Sequence, residues 1–371
     1  MKIIADSEIV GAESCFSLYG EVKVYPGREI KAAHLRDADA LLVRSVTSID
    51  RELLANTPIR FVGSATIGTD HVDLDYLASN NIHFAHAPGC NASAVVQYVI
   101  AALCATVRGW RDKSVSVVGC GQVGGRLLAS LKALGLDCRV YDPFLTVEQV
   151  PELVSFNEAL SADIICLHTP LTLQGAFPTF HMIGERELSE IKTGAILINA
   201  GRGAVIDSQA LERKLSEGAC PQLILDVWEH EPAIGRELLD KVLLGTPHIA
   251  GHSVDGKLRG TRMVLDAFEQ WLGVRSPRVN GNVPDTLEKT PITVSDRSSL
   301  ETVVLSAYDP RRDFADLRSA FSDRGMPAGK AFDAVRTAYQ LRQEFNHFRI
   351  QGELEQGLGE ELVTLGFSVD R

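Results

Sequence analysis

The amino-acid sequence predicts an α/β fold built on parallel sheets, and three observations support this prediction. Short apolar runs rich in Val, Ile and Leu alternate with helix-like stretches over most of the chain. One such run passes into Gly119-x-Gly121-x-x-Gly124 and then into an amphipathic stretch. Near the C-terminus the pattern changes to charged helix-like segments between isolated strand-like runs. Strands that alternate with helices form parallel sheets, so we predict two such sheets followed by a smaller α+β part.

Composition excludes several functional classes. The chain has 371 residues, enough for two or three domains with their own cores. Its 37 Lys and Arg against 48 Asp and Glu give a net charge of −11, so nucleic acids and anionic membranes are not expected as partners. The seven cysteines are scattered without a C-x-x-C pair, which argues against disulfides and structural zinc and favours a reducing cytoplasm. We also expect no signal segment and no membrane span.

The first part of the chain contains five strand-like runs: KIIAD, EVKVYP, ALLVRS, RFVGSAT and IHFAHAP. Ligands of parallel sheets bind beyond the carboxyl ends of the strands, which makes Arg44, Ser45 and Thr66 candidates for holding a carboxylate or phosphate. Arg44 could equally be a solvated loop charge. Asp70 and Asp73 flank a histidine, but consecutive residues converge poorly on one ion, so we predict capping of the next helix instead.

The segment from Lys113 to Leu128 predicts a strand, a tight turn and a helix. Gly119 would let the chain turn, Gly121 would let the backbone approach a pyrophosphate, and Gly124 would let the helix pack on the strand. Asp142 ends the next apolar run, where an acidic residue binds ribose hydroxyls and repels a 2′-phosphate. The pattern favours NAD over NADP. The alternative is a structural βα turn with Asp142 as a loop cap.

Three ionisable residues follow later strand-like runs: Arg202, Glu231 and His248. Oxidation of a 2-hydroxy acid needs a base for the hydroxyl proton, a cation for the carboxylate and an anion that orients the base. Histidine suits the first role, arginine the second and glutamate the third. Each residue also has a purely structural explanation: Arg202 could cap a helix, Glu231 could be a surface residue, and His248 could be a hydrogen-bonded loop residue.

A zinc site is a further possibility, because His248 and His252 are four residues apart. Pro247 and Gly251 disfavour the helix that would bring both rings to one face. No metal site is therefore predicted.

The motifs VGCGQVGGRL, LINAGRGAVID, LDVWEHEP and TPHIAGHS, together with Asp142, resemble those of the D-isomer-specific 2-hydroxyacid dehydrogenases. DADALLVRSVT, FVGSATIGTDHVD, HAPGCNASAVVQYV, GTPHIAG…GKLRGT and YDPRRDFADLR resemble the motifs of one branch of that family, and this resemblance implies a phosphorylated substrate and an additional C-terminal unit. The resemblance covers almost the whole chain.

The resemblance implies a role for each candidate residue. His248 would be the acid/base, Glu231 its partner and Arg202 the carboxylate clamp. Ser45 and Thr66 would hold substrate, and we expect Arg44 to help bind the phosphate. His252 stands where the family carries Tyr, so a hydroxyl contact to substrate would become an imidazole contact or be lost. The residues expected to contact NAD are Gly119, Gly121, Gln122, Val123, Gly124, Asp142, Thr169, Asp226 and Gly251.

The predicted organisation is two Rossmann/flavodoxin-like parallel-sheet domains plus a small C-terminal α+β dimerisation domain. A substrate-binding domain is expected at 1–91 and 252–285, an NAD-binding domain at 92–251 and the dimerisation domain at 286–371. In the last, helices are predicted at 300–308, 310–321 and 328–345. The predicted activity is NAD-dependent oxidation of a phosphorylated 2-hydroxy acid by a homodimer. The alternatives are a dehydrogenase for another acid, such as 3-phosphoglycerate, and a non-catalytic NAD-sensing protein.

Overall fold

The computed structural model describes residues 1–218, 220–274, 289–355 and 357–370. These residues fall into two compact units. One contains Met1–Asn91 and the segment that begins at His252, and the other contains Ala92–Gly251 and the C-terminal segment. The predicted boundary between residues 285 and 286 lies outside the described residues.

The strands, in chain order, are β1 (Lys2–Asp6), β2 (Glu21–Tyr25), β3 (Ala40–Val43), β4 (Phe61–Ser64), β5 (His83–His86), β6 (Val115–Val118), β7 (Cys138–Tyr141), β8 (Ile164–Leu167), β9 (Ile196–Asn199), β10 (Gln222–Leu225), β11 (Leu244–Gly245), β12 (Thr290–Val294), β13 (Phe348–Gly352) and β14 (Ser368–Val369). The α-helices are α1 (Ala12–Phe16), α2 (Arg51–Leu54), α3 (Leu74–Ser79), α4 (Ala92–Thr106), α5 (Gly124–Ala133), α6 (Phe156–Leu160), α7 (Glu185–Glu190), α8 (Ser208–Ser216), α9 (Arg236–Lys241), α10 (Val254–Leu272), α11 (Leu300–Ala307), α12 (Pro310–Ser322), α13 (Ala328–Ala338) and α14 (Leu358–Thr364).

The first unit is organised around a parallel sheet with the order β2-β1-β3-β4-β5. All five strand-like runs of the sequence form its strands. Phe268 of α10 packs on this sheet with its ring edge-on to Phe61. The carboxylate of Asp73 accepts a hydrogen bond from the backbone N–H of Tyr76 at 2.9 Å, so the predicted capping of the following helix is confirmed.

The second unit contains a parallel sheet with the order β11-β10-β9-β8-β6-β7. Its inner strands β6, β8 and β9 are buried along their whole length, as their uninterrupted apolar sequences predict. The chain runs from β6 outward to β7 and then returns to β8 on the other side of β6. Such a reversal opens a crevice at the carboxyl ends of β6 and β8, where parallel α/β sheets bind their ligands.

The described residues of the C-terminal segment form a three-stranded parallel sheet, β12-β13-β14, with the α-helices α11 to α14. Helices α11 and α12 agree with the predicted helices to within one residue. The predicted helix at 328–345 is wrong in its second half, because α13 ends at Ala338. The chain beyond Ala338 instead contacts α4, where the backbone N–H of Phe345 donates to the side chain of Gln97 at 3.1 Å.

Hydrophobic packing joins this segment to the six-stranded sheet. Val303 and Val304 of α11 are buried in the same cluster as Tyr98 and Val99 of α4, and both α11 and α12 pack on α4. The C-terminal segment therefore shares a core with the rest of its unit. Among the described helices, none combines the length and the apolar character that crossing a bilayer requires.

Candidate active site

His248 and Glu231 form a hydrogen-bonded pair at the carboxyl ends of two neighbouring strands. His248 follows β11, Glu231 follows β10, and these strands are paired in parallel. Nδ1 of the imidazole is bonded to Oε1 of the carboxylate. Oε2 of Glu231 accepts a further bond from the backbone N–H of Trp228 at 3.2 Å. The pairing fixes the orientation of the ring.

The protonation of this pair follows from its surroundings. Burial acts to raise the pKa of Glu231, but the charge and hydrogen bond of His248, with the N–H of Trp228, outweigh it and hold the pKa below its ordinary value. Glu231 is therefore an ionised acceptor near neutral pH. Nδ1 of His248 carries the shared hydrogen, and Nε2 is left to take a proton from another group.

The loop that carries His248 has an unusual backbone. His248 adopts φ of 56°, in the left-handed region that few residues other than glycine occupy. Its N–H donates to the carbonyl oxygen of Asp226 at 2.8 Å. The Asp226 carboxylate accepts from the N–H groups of Ile249 at 2.8 Å and Ala250 at 3.0 Å, and from the hydroxyl of Thr246 at 2.7 Å. Asp226, which is only 1% exposed, thus shapes the loop around His248.

Arg202 lies in the loop that follows β9, the neighbour of β10. The side chain of Asn199 holds this loop by donating to the carbonyl of Arg202 at 2.9 Å and accepting from the N–H of Gly201 at 3.1 Å. A β-carbon on Gly203 would lie 2.0 Å from the backbone of Trp228, so the loops of Arg202 and Glu231 are in close contact. The structure therefore brings all three predicted catalytic residues to one edge of the sheet.

The glycine loop after β6 has the geometry of a dinucleotide site. Gly119 has φ of 89°, and a β-carbon there would lie 2.9 Å from the backbone nitrogen of Thr169. A β-carbon on Gly124 would lie 1.9 Å from the carbonyl oxygen of Gly119. Nothing lies within 4 Å of the equivalent position on Gly121, which leaves room for a pyrophosphate beside the backbone.

Asp142 lies beside this loop at the end of β7. Its Oδ2 accepts from the N–H of Cys120 at 2.9 Å, and its Oδ1 accepts from the N–H of Phe144 at 3.0 Å. The two interpretations of Asp142 are thus compatible, because the residue caps its own loop and also presents its charge next to the glycines. The remaining two residues of the loop precede α5, with Val123 at the N-cap and Gln122 before it.

Two side chains at the end of β8 are buried without a hydrogen-bond partner among the described residues. They are the hydroxyl of Thr169 and both ring nitrogens of His168. Burial lowers the pKa of His168 to about 4, so the ring is neutral near pH 7. Unpartnered buried polar atoms at the crevice between β6 and β8 fit a bound dinucleotide. Sequence reasoning did not single out His168, which carries no signal beyond its place at a strand end.

The predicted substrate residues belong to the other unit. Nε of Arg44 donates to the fully buried carboxylate of Asp6 at 3.1 Å, which fixes the guanidinium at the carboxyl ends of β1 and β3. Ser45 is exposed in the turn that follows. The hydroxyl of Thr66 lies 2.8 Å from that of Ser64 after β4. His252 is half-buried and precedes Ser253, the N-cap of α10, and Gly251, also half-buried, is the last residue before the change of unit.

One cluster in the second unit has the residue types of a metal site. Ligand atoms of His181, Asp207 and Glu229 lie within 4.8 Å of one another. Hydrogen bonds account for this proximity: Nε2 of His181 bonds Glu229 at 2.6 Å, while Asp207 caps α8. Glu229 also accepts from the N–H of Ser208 at 2.8 Å. The cluster joins the loops after β8, β9 and β10.

Comparison with known proteins identifies the family. The model of the D-isomer specific 2-hydroxyacid dehydrogenase NAD binding domain matches residues 101–250, and a domain of unknown function, DUF3410, matches residues 288–366. Erythronate-4-phosphate dehydrogenase of Teredinibacter turnerae is 42% identical over 374 residues, covering 100% of this chain and 99% of that one. The chain belongs to the erythronate-4-phosphate dehydrogenase family. The Pseudomonas aeruginosa member is 42% identical over 383 residues, covering 98% of this chain and 100% of that one.

Solved structures of other dehydrogenases have the same fold. D-lactate dehydrogenase of Aquifex aeolicus, complexed with NAD and lactic acid, superposes with a TM-score of 0.64 at 23% identity and covers 74% of this chain and 96% of its own, which shows the shared fold. NAD-bound 3-phosphoglycerate dehydrogenase of Entamoeba histolytica superposes with a TM-score of 0.64 at 25% identity, and the match covers 76% of this chain and 99% of that one. The chain is an NAD-dependent 2-hydroxyacid dehydrogenase, and the predicted fold class and cofactor are confirmed.

Proposed function

We propose that this protein oxidises the C2 hydroxyl of 4-phospho-D-erythronate to give 3-hydroxy-2-oxo-4-phosphobutanoate, a step of pyridoxal phosphate biosynthesis. The observation that carries the proposal is the hydrogen-bonded pair of His248 and Glu231 in a chain that matches erythronate-4-phosphate dehydrogenases over its full length. The pair alone suits any 2-hydroxy acid, so the phosphorylated substrate is proposed from the match to erythronate-4-phosphate dehydrogenases.

The chemistry follows from the residues of the second unit. The O–H and C2–H bonds of the substrate break and a C2=O bond forms. Nε2 of His248 accepts the hydroxyl proton, and Glu231 stabilises the resulting imidazolium through Nδ1. The guanidinium of Arg202 binds the carboxylate beside C2 through paired N–H groups. Bound NAD supplies the acceptor for the hydride that leaves C2.

The phosphate end of the substrate is assigned to the first unit. Arg44 supplies the cation for the phosphate, and Ser45, Thr66 and His252 of the same unit supply further contacts to the substrate. Support comes from Asp6, whose buried carboxylate accepts a hydrogen bond from Nε of Arg44. The other guanidinium N–H groups are not used in this hydrogen bond. If Arg44→Ala leaves the KM for the phosphorylated substrate unchanged, Arg44 does not bind the phosphate.

The protein works in the cytoplasm as a homodimer formed through its C-terminal segment. All seven cysteines are free thiols, as expected in a reducing compartment. Additional small units of this kind commonly mediate self-association. Light scattering of the purified chain tests the dimer, because the monomer mass is 40.3 kDa. A mass near that value at working concentration contradicts it.

The experiment that tests the activity compares NADH formation from 4-phosphoerythronate and from 3-phosphoglycerate. We expect kcat/KM to favour the first by about a hundredfold, since a site built for one set of polar groups rejects an analogue that leaves them unpaired. Preference for 3-phosphoglycerate would assign a different substrate. Tight NAD binding without turnover of either acid would favour an NAD-sensing protein.

A matched variant tests the base. His248→Gln should lower kcat by about a thousandfold while the Kd for NAD stays within about twofold, because glutamine cannot accept the hydroxyl proton. Turnover close to that of the unmodified protein would contradict the assigned role of His248.

A further inference from the structure

An arginine of the C-terminal segment, Arg342, reaches the loop that carries His248. Arg342 lies beyond the end of α13, and its guanidinium donates to the carbonyl oxygens of Ile249 at 3.2 Å and Ala250 at 2.5 Å. It also donates to the carbonyl oxygen of Ala94, in the first turn of α4, at 2.7 Å. These contacts connect the loop after His248 and the first turn of α4 to one cation of the C-terminal segment.

The residues directly after His248 are hydrogen-bonded through both their N–H and their carbonyl groups. The N–H groups of Ile249 and Ala250 donate to the Asp226 carboxylate, while their carbonyl groups accept from Arg342. The peptide group between Ile249 and Ala250 therefore has the carboxylate at its N–H end and the guanidinium at its carbonyl end, and both favour the observed direction of its dipole. The segment directly after His248 is thus held from two sides, and the left-handed backbone of His248 is held with it.

The guanidinium is supported by side chains of its own segment. It lies over the ring of Tyr308, with 4.3 Å between the guanidinium carbon and the ring centroid. Nη1 of Arg342 donates to the hydroxyl of Tyr339 at 3.3 Å, and the hydroxyl of Tyr308 donates to Asp313 at 2.7 Å. A buried cation needs such partners, and here they prevent the arginine from turning away from the loop.

The C-terminal segment is itself fixed to the six-stranded sheet at a second place. Arg236, at the start of α9, donates to the carbonyl oxygens of Asp323 at 3.1 Å and Met326 at 2.6 Å. The segment that carries Arg342 is therefore held both by its packing on α4 and by the hydrogen bonds of Arg236.

We infer that Arg342 is a positioning residue for His248, and that the C-terminal segment helps to build the active site within its own chain, besides any role in self-association. The inference rests on the proposed role of His248 as the base. Loss of the guanidinium frees the carbonyl groups of Ile249 and Ala250, lets the His248 loop relax and misplaces Nε2 relative to the reacting hydroxyl. Misplacement of this kind lowers kcat more than it changes NAD binding.

The test compares Arg342→Met and Arg342→Lys with Arg349→Met. Arg349 is a matched control, because it belongs to the same segment but makes a half-exposed surface ion pair with Asp370. Each full-length protein is assayed for kcat, KM, Kd for NAD, the pH profile of kcat and deuterium exchange of the peptide that spans residues 246–252. The exchange measurement requires no turnover, so a wrong substrate assignment would leave it readable.

We expect Arg342→Met to lower kcat by about 10- to 100-fold, with faster exchange at Ile249 and Ala250 and a shifted pH profile, while the Kd for NAD stays within about twofold. The kcat and the exchange rate of Arg342→Lys should lie between those of Arg342→Met and those of the unmodified protein. Both values for Arg349→Met should match those of the unmodified protein. Unchanged kcat and exchange in a folded Arg342 variant would overturn the inference. So would failure of both Arg342 variants to fold while Arg349→Met folds, because Arg342 would then serve folding alone.

Discussion

The carboxylate of Glu231 is bonded to Nδ1 of His248, so the base and the group that orients it are already paired in the protein without substrate. The pair is independent of the other unit, since both residues follow strands of the six-stranded sheet. Its chemistry can therefore be tested separately from the recognition of the substrate's phosphate.

Replacement of Glu231 by Gln should lower kcat by about a hundredfold, because the amide can still contact Nδ1 but cannot stabilise the imidazolium with a negative charge. NAD affinity should change little. The measurement is steady-state kinetics together with NAD titration, and Glu237→Gln, on the exposed side of α9, is the control. Equal kcat values in the two variants would mean that the charge of Glu231 has no catalytic role.

Alanine at Gly124 should weaken NAD binding by about tenfold or more, because its β-carbon would overlap the carbonyl oxygen of Gly119 and force the loop to move. Gly125→Ala is a close control. There the nearest atom would be the carbonyl oxygen of Cys120 at 3.5 Å, an ordinary contact, and binding should stay within about twofold. Isothermal titration with NAD distinguishes the two variants, and similar losses in both would argue against the proposed packing.

Removal of the negative charge at Asp142 should relax the choice of cofactor. Asp142→Asn keeps the size of the side chain and one carbonyl acceptor, but it no longer repels a 2′-phosphate. We expect the preference for NAD over NADP, measured as a ratio of kcat/KM values, to fall by about tenfold. An unchanged ratio would show that Asp142 acts only as a cap for its loop.

Asp313 should make the stability of the protein depend on pH. Burial raises the pKa of this carboxyl to about 6, in spite of the hydrogen bond from Tyr308 and the positive charge of Arg342, while Asp316 and Asp226 act in the same direction as burial. A carboxyl whose pKa is higher in the folded state contributes stability below its unfolded pKa, and that contribution is lost as the pH rises through about 6.

Asp313→Asn remains neutral at every pH and should not show this loss. Its free energy of unfolding should exceed that of the unmodified protein by about 1 to 3 kcal/mol at pH 8 and differ little at pH 4. Urea unfolding at several pH values measures the difference. Glu353→Gln, an exposed carboxyl of the same segment that does not act on Asp313, is the control, and parallel pH dependences of the two variants would contradict the role of Asp313.

The strand ends of the site were predictable because buried parallel strands are uninterrupted apolar runs that stop at polar residues. That pattern located Arg202, Glu231 and His248 without any knowledge of their contacts, whereas Thr169 was implied by the family resemblance. The position of Arg342 was not predictable. Its partners are backbone carbonyl groups at distant positions, which leave no trace in side-chain identity, and the amphipathic pattern around it suggested a helix that in fact ends at Ala338. Asp226 is similar, because two of the three groups that donate to its carboxylate are backbone N–H groups, and the resemblance implied only a contact with NAD.

The core shared by α4 and α11 limits how this enzyme could have been assembled from parts. Val303 and Val304 are buried against a helix that also covers the NAD-binding sheet. A chain cut before that segment would expose the apolar face of α4 to water. Exchange of the segment between enzymes should therefore succeed only when the surface of α4 is exchanged with it.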